Sequence, residues 1–299
     1  MMAALRRDGT WDSALSAGGF AAIRSVGFEP AGQVFGAAVY YLSATAGVSC
    51  PGTAARHLPR DASPEAPGRN PATVPGRGIP GPAARIARAL YDGRRTAIDR
   101  MAGECADLGG HGIVDAAQQV REIPADSLTA GAVEFKVIGT AVRATGCPPP
   151  TRPFATDLSG PDFARLVMAG WVPAGIALGI SVAALHDDGL ATGPSRWGTA
   201  NAEVPAYTDL MVKVRQDARS RLEQAVRGLG ADGTVVSGMT LRVHGDACRR
   251  GGTDHFAEAV ITGTAVVRFA DQRRTAPPPG LAVLSLGAKT TSGNSGKRR

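Results

Sequence analysis

The densest group of potential metal ligands in this sequence lies around the turn of its last predicted hairpin. The group combines imidazole, thiolate and carboxylate side chains, all of which bind zinc or copper in proteins. Its members are His244, Asp246, Cys248, Asp254 and His255. His186 and Asp187 follow an earlier predicted strand and would join the group if that strand ended beside the hairpin. The ligand types make a divalent transition metal the candidate cofactor, and the sequence leaves its identity open.

The same stretch also has the composition of an exposed hairpin loop. Gly251 and Gly252 favour a turn, and the neighbouring Arg249 and Arg250 would repel a cation. The first half of the chain has no matching set of ligands. A purely structural turn is therefore the competing interpretation of this segment.

Other chemical signatures are missing from the sequence. It has no Gly-x-Ser-x-Gly motif, phosphate-binding loop or His-Glu-x-x-His motif, and its four cysteines form no Cys-x-x-Cys pair. Cys105 falls on the apolar stripe of a predicted helix, which favours a place in the core. His111 follows that helix and is interpreted as a cap of the turn. Without an acid–base pair or an activated nucleophile, the sequence predicts a protein that is not an enzyme, so no catalytic residue is assigned.

Three sequence blocks recur in the same order in the two halves of the chain, and they indicate a tandem duplication. The first block reads G-[FW]-x-P-A-G-x-x-x-G-x-x-V, the second Leu-Gly and the third Gly-Thr-Ala-Val. They occupy residues 27–39, 108–109 and 139–142 in the first half, and 170–182, 229–230 and 263–266 in the second.

The elements that would position these residues follow from hydrophobic spacing. Apolar residues three, four and seven apart predict helices over 83–108 and 206–229, each followed by a glycine suited to a left-handed cap. Alternating apolar residues around the helices predict strands. The expected fold class is α+β, with two tandem β-α-β-β domains, each a small antiparallel sheet packed on one long helix.

One uncharged segment is long enough to cross a membrane. Residues 166–185 carry no charge over 20 positions. The counterpart in the first half contains Arg24 and Glu29, which do not belong in lipid, and the duplicated segments should share one fold. We therefore predict a turn followed by a buried strand, and no membrane partner.

The expected domain boundaries follow from the repeat and from composition. Repeat 1 spans 10–146 and contains an insertion at about 49–82, where eight prolines between Pro51 and Pro82 predict disorder. Residues 147–156 form a linker, 157–270 form repeat 2, and 271–299 form a basic, largely disordered tail. Within the tail, the apolar residues 281–286 predict a short extended segment docked on a neighbouring surface.

The positive charge of the chain is concentrated in this tail. The net charge is +7, and residues 271–299 hold six Lys or Arg against one Asp, which is +5. A basic tail gives weak, salt-sensitive attraction to polyanions, so no specific nucleic-acid partner is expected. The N-terminus has no apolar run typical of a signal peptide, and unpaired cysteines suit a reducing compartment, so we expect a cytoplasmic protein.

The repeated blocks resemble the YbjQ-like family, whose members are often labelled heavy-metal-binding domains. The strings that carry the resemblance occupy 174–179, 229–233 and 262–266, with weaker counterparts at 108–111 and 138–142. The resemblance implies a subunit fold like that of dodecin and self-assembly into closed rings of five domains. Family members often carry acidic residues where this chain has Gln33, Ile176, Ala117, Gln119, Gly238 and Thr240.

Two functions are consistent with these observations. The first is a non-enzymatic, ring-forming protein that binds a metal or small ligand weakly. The alternative is an oligomeric scaffold that recruits a partner through its insertion and basic tail. Since each chain supplies two domains and five is odd, we expect either five chains in two stacked rings, each made of one kind of repeat, or one ring with an even number of domains.

Overall fold

A computed structural model describes residues 13–41, 82–123, 131–187, 203–247 and 252–269. These residues form two sheets and four helices, which confirms the mixed α+β class. The helices are α1 (Ala17–Ser25), α2 (Pro82–Asp107), α3 (Gly160–Met168) and α4 (Pro205–Gly228). The strands are β1 (Phe28–Tyr41), β2 (Gly112–Ile123), β3 (Ala132–Ala144), β4 (Phe154–Ala155), β5 (Trp171–Asp187), β6 (Gly233–Ala247) and β7 (Thr253–Arg268).

The first sheet has the strand order β1-β3-β2-β4 and the second has the order β5-β7-β6. Neighbouring strands run antiparallel, except that β4 lies parallel to β2. The two residues of β4 belong to the segment predicted as a linker. This segment therefore completes one edge of the first sheet, while the domain boundaries stay a prediction.

Matching glycines let each sheet approach a helix closely. A Cβ atom on Gly36 of β1 would collide with the carbonyl oxygen of Ala97 in α2. A Cβ atom on Gly179 of β5 would collide with the carbonyl oxygen of Ala218 in α4. The glycine spacing in the first block is thus explained by close packing of backbone on backbone.

Helix α2 lies between the two sheets. Its buried residues share one apolar cluster with Val34 and Phe135 of the first sheet and with Leu178 and Ile180 of the second. Helix α4 covers the other face of the second sheet through Leu210, Val214, Ala218 and Leu222. The layers therefore run first sheet, α2, second sheet, α4. The expectation that each sheet packs on one long helix of its own is not supported, because α2 contacts both sheets.

Two short helices, α1 and α3, were not predicted from the sequence. Each begins after a serine whose hydroxyl accepts a backbone N–H: Ser16 caps α1 and Ser159 caps α3. Phe163 of α3 is fully buried against Phe28, with ring centroids 5.2 Å apart. The two helices contact each other and cover one end of the first sheet.

The uncharged segment 166–185 divides between the end of α3 and β5. Among the described residues, no helix has the length and apolarity needed to cross a membrane. Residues 49–81 of the predicted insertion and the whole tail 271–299 lie outside the described residues, as do Cys50 and Cys248.

Candidate functional site

The predicted metal ligands are divided between the two faces of the second sheet. Asp254 is buried, 3% exposed, and its Oδ1 lies 2.6 Å from Nδ1 of His186 on the neighbouring strand. His255 follows Asp254 directly, so its side chain points to the opposite face. There its Nε2 lies 2.8 Å from the hydroxyl oxygen of Tyr207 in α4.

His244 lies on the face that also carries Asp254, and its ring stacks on Phe256 with centroids 5.5 Å apart. Among the described ranges, no three His, Cys, Asp or Glu side chains are grouped closely enough to hold a metal ion. Cys248 and the side chain of Asp246 lie outside the described residues, so the five-residue metal site stays an untested prediction. What the structure brings together is one His–Asp pair and one His–Tyr pair.

Two further residues singled out in the sequence have structural surroundings. Burial raises the pKa of the Cys105 thiol to about 12, and its Sγ lies 3.4 Å from the carbonyl oxygen of Gly112, so the group is a protonated core residue. His111 does not cap the end of α2. Its Nε2 lies 3.1 Å from the carbonyl oxygen of Cys147, which ties the segment after β3 to the start of β2.

A network of hydroxyl groups and one carboxylate fastens the segment before α3 to the second sheet. Thr264 donates from Oγ1 to Oδ1 of Asp157 at 2.6 Å, and Ser237 donates to the other carboxylate oxygen. Thr156 and Thr264 lie 2.7 Å apart through their hydroxyl oxygens. In the first sheet, the hydroxyls of Ser13 and Thr140 make a similar contact at 3.2 Å. This repetition indicates a positioning role for the network.

A charged residue of α2, Arg94, is buried beside the first sheet. Arg94 is 7% exposed, and its guanidinium carbon lies 5.2 Å above the ring of Phe135. Burial lowers the pKa of Arg94, while Glu258 on β7 raises it and Arg242 on β6 lowers it further. An arginine among apolar helix residues, together with a glutamate in a β-branched strand, was the sequence signal for this contact, and it was missed.

The first sheet carries the same charged row on its outward face. Glu134 on β3 lies next to Val39 of β1 and Arg121 of β2, just as Glu258 lies next to Val182 and Arg242. Oε2 of Glu134 is 3.4 Å from Nε of Arg121 and 3.0 Å from Nζ of Lys136.

One curated relative was found for the chain. It is the encapsulin nanocompartment protein Rv1762c of Mycobacterium tuberculosis (strain ATCC 25618 / H37Rv). The two sequences are 29% identical over 188 residues, which cover 61% of this chain and 68% of the relative. No protein-family profile matches the chain. No solved structure matches it significantly.

These comparisons overturn the resemblance to the YbjQ-like family, and with it the heavy-metal-binding function. The similarity rested on short strings of Gly, Leu and Ala. Packing accounts for part of those strings, because Gly36 and Gly179 admit a helix backbone and Gly109 and Gly230 follow helices with positive φ. Motifs of this kind report local geometry and carry no ligand chemistry.

Proposed function

We propose that this chain is an oligomeric scaffold that assembles with copies of itself as a component of a protein nanocompartment. The observation that carries the proposal is the similarity to an encapsulin nanocompartment protein over most of both chains. The proposal follows the scaffold alternative from the sequence.

The layered fold supports this proposal because the outward face of the first sheet exposes apolar side chains. On the outward face of the first sheet, Phe35 is 42% exposed and Val39 is 58% exposed. Their counterparts in the second sheet, Leu178 and Val182, are buried beside α2. Contiguous apolar side chains on a surface are typical of a protein–protein contact.

Several finer expectations belong to the proposal. They are two tandem domains within the chain, a cytoplasmic location, and recruitment of an anionic partner by the insertion and the tail. Rings of five domains are not among them, because only the overturned resemblance implied such rings.

Size-exclusion chromatography with light scattering on the purified full-length chain tests the proposal directly. We expect an assembly much larger than the 30.6 kDa chain at micromolar concentration, and closed particles in negative-stain electron microscopy. A stable monomer at tens of micromolar would contradict the proposal.

The role of the tail is tested separately by deleting residues 271–299. Because this segment supplies most of the net charge, we expect the deletion to abolish retention on a polyanion column at low salt while leaving the assembly mass per chain unchanged. Unchanged retention would place the anion-binding surface elsewhere in the chain.

A further inference from the structure

We propose that a second copy of this chain docks head to tail, with the open face of its first sheet on the outer side of α4. The open face consists of Phe35, Ala37, Val39, Glu134, Lys136 and Arg121. The contact would repeat between chains the one that the second sheet makes with α2 within each chain. This inference deepens the proposed function and rests on it, because it names the surface through which the copies meet.

The contact within the chain provides the template. The second sheet presents a row formed by Val182, Glu258 and Arg242 on three neighbouring strands. Val182 of this row is buried in the apolar cluster that also contains the buried residues of α2. Arg94 of α2 is buried as well, and Glu258 and Arg242 act on its pKa in opposite directions. A helix with one buried arginine therefore packs on the sheet face that carries this row.

The open face has the same row at the same register. Val39, Glu134 and Arg121 are paired across β1, β3 and β2. They lie opposite Gly36 and Phe135, which point towards α2, so the row faces away from that helix. Within the described residues, no helix lies over it.

Helix α4 supplies the matching arginine. The glycine contacts align the two helices, since Gly36 meets Ala97 and Gly179 meets Ala218. Three residues before each alanine stands an arginine, Arg94 in α2 and Arg215 in α4. Arg94 is buried, whereas Arg215 is exposed. The chain thus carries a sheet face and a helix face that match the two sides of the internal contact. They lie at opposite ends of its stack of layers.

Glu134 has the properties of an acceptor prepared for such a partner. Its side chain is 17% exposed, and two cations lie within 4 Å of its Oε2. Neither cation donates a well-aligned hydrogen bond to that atom, which is shielded from solvent. A shielded carboxylate oxygen without a hydrogen bond is costly, and a third donor would relieve the cost.

The contact between chains is more polar than its template. Leu90 and Ile98 of α2 are buried, and the residues at the same distance from the aligned alanine of α4 are Met211 and Arg219. Less apolar area and more charge make this contact weaker than the internal one and more sensitive to salt.

Charge reversal on the full-length chain tests the inference. Glu134→Lys leaves the open face with cations only, and these would repel Arg215 of the neighbouring copy. The double variant Glu134→Lys/Arg215→Glu restores opposite charges. Glu134→Lys/Lys213→Glu is the matched control, because it makes the same charge change on an exposed part of α4 away from Arg215. Light scattering across a concentration series measures assembly, and circular dichroism checks that each variant folds.

We expect Glu134→Lys to raise the concentration needed for assembly by about tenfold or more. The double variant Glu134→Lys/Arg215→Glu should recover at least part of the loss, and the control should not. If the unmodified chain assembles and Glu134→Lys assembles equally well, this interface is wrong while the proposed function stands. If the unmodified chain is a monomer, both fail. Equal recovery in Glu134→Lys/Lys213→Glu would also overturn the inference, since it would show a nonspecific charge effect.

Discussion

The first and second sheets present nearly the same outward row of residues, yet one is buried and the other is open. Val182 packs against α2, whereas Val39 and Glu134 have no helix over them among the described residues. The difference is one of position in the stack, since α2 has a sheet on both sides and α4 has one. An exposed face at the end of the stack of layers can therefore carry the same residues as a face that is buried inside it.

Replacing the glycine that contacts either long helix should have the largest effect on stability. Comparing the two replacements tests whether α2 and α4 pack on their sheets in the same way. Gly36→Val and Gly179→Val would each drive a side chain into helix backbone, so we expect losses of about 3 kcal/mol or more in the free energy of unfolding. Chemical denaturation measures both. Gly103→Ala is the control, because nothing lies within 4 Å of a Cβ there and a helical alanine stabilises by about 0.5–1 kcal/mol. Equal stability of Gly179→Val and the unmodified chain would refute the close approach of α4.

Replacing the two equivalent arginines, one at a time, should destabilise the protein to different extents, because one is buried and the other is exposed. Arg94→Met removes a buried cation that faces Glu258 and Phe135, and we expect a loss of about 2 kcal/mol. Arg215→Met acts on an exposed side chain and should change the stability by less than about 0.5 kcal/mol. Both are compared by denaturant melts under conditions that keep the chain monomeric or equally assembled. Equal losses would mean that Arg215 is already buried in a contact of the same kind.

Alkaline pH should weaken the first helix contact and spare the second. The folded-state pKa of Cys105 is about 12, above the usual 9.0, so the thiol contributes stability that is full below pH 9 and is lost as the pH rises towards 12. The slope is about 1.4 kcal/mol per pH unit at most. In α4, Val226 follows Ala218 at the same sequence distance as Cys105 follows Ala97 in α2. Cys105→Val should therefore flatten the difference between pH 9 and pH 11, as measured by thermal melts. An unchanged slope would show that other groups cause the alkaline loss.

Much of the fold was accessible from the sequence because long periodic segments carry a strong signal. The helices predicted at 83–108 and 206–229 occur as α2 and α4, within one residue at each end. The helices α1 and α3 were missed because each has only nine residues, too few to display a period. Ser16 and Ser159 were the cap signals that could have found them.

The candidate site was harder to predict, for two different reasons. The proposed metal ligands joined Asp254 to His255, although strand alternation places adjacent side chains on opposite faces. The Arg94 contact was missed because periodicity identifies one apolar face of a helix and gives no warning that a second sheet packs on another. Only the three-dimensional arrangement shows that Arg94 is buried over the ring of Phe135 and that Glu258 raises its pKa.

The short strand β4 makes the first sheet depend on residues that the ribosome delivers late. Gly112 and Ile113 pair with Phe154 and Ala155, which follow the last long strand of that sheet. A nascent chain that has emerged only to residue 146 therefore exposes the edge of β2 and leaves Gly112 uncovered. At about 5–20 residues per second, this interval is short, but it opens a strand edge to other nascent chains on the same messenger. The order of synthesis therefore decides when this part of the β2 edge is covered.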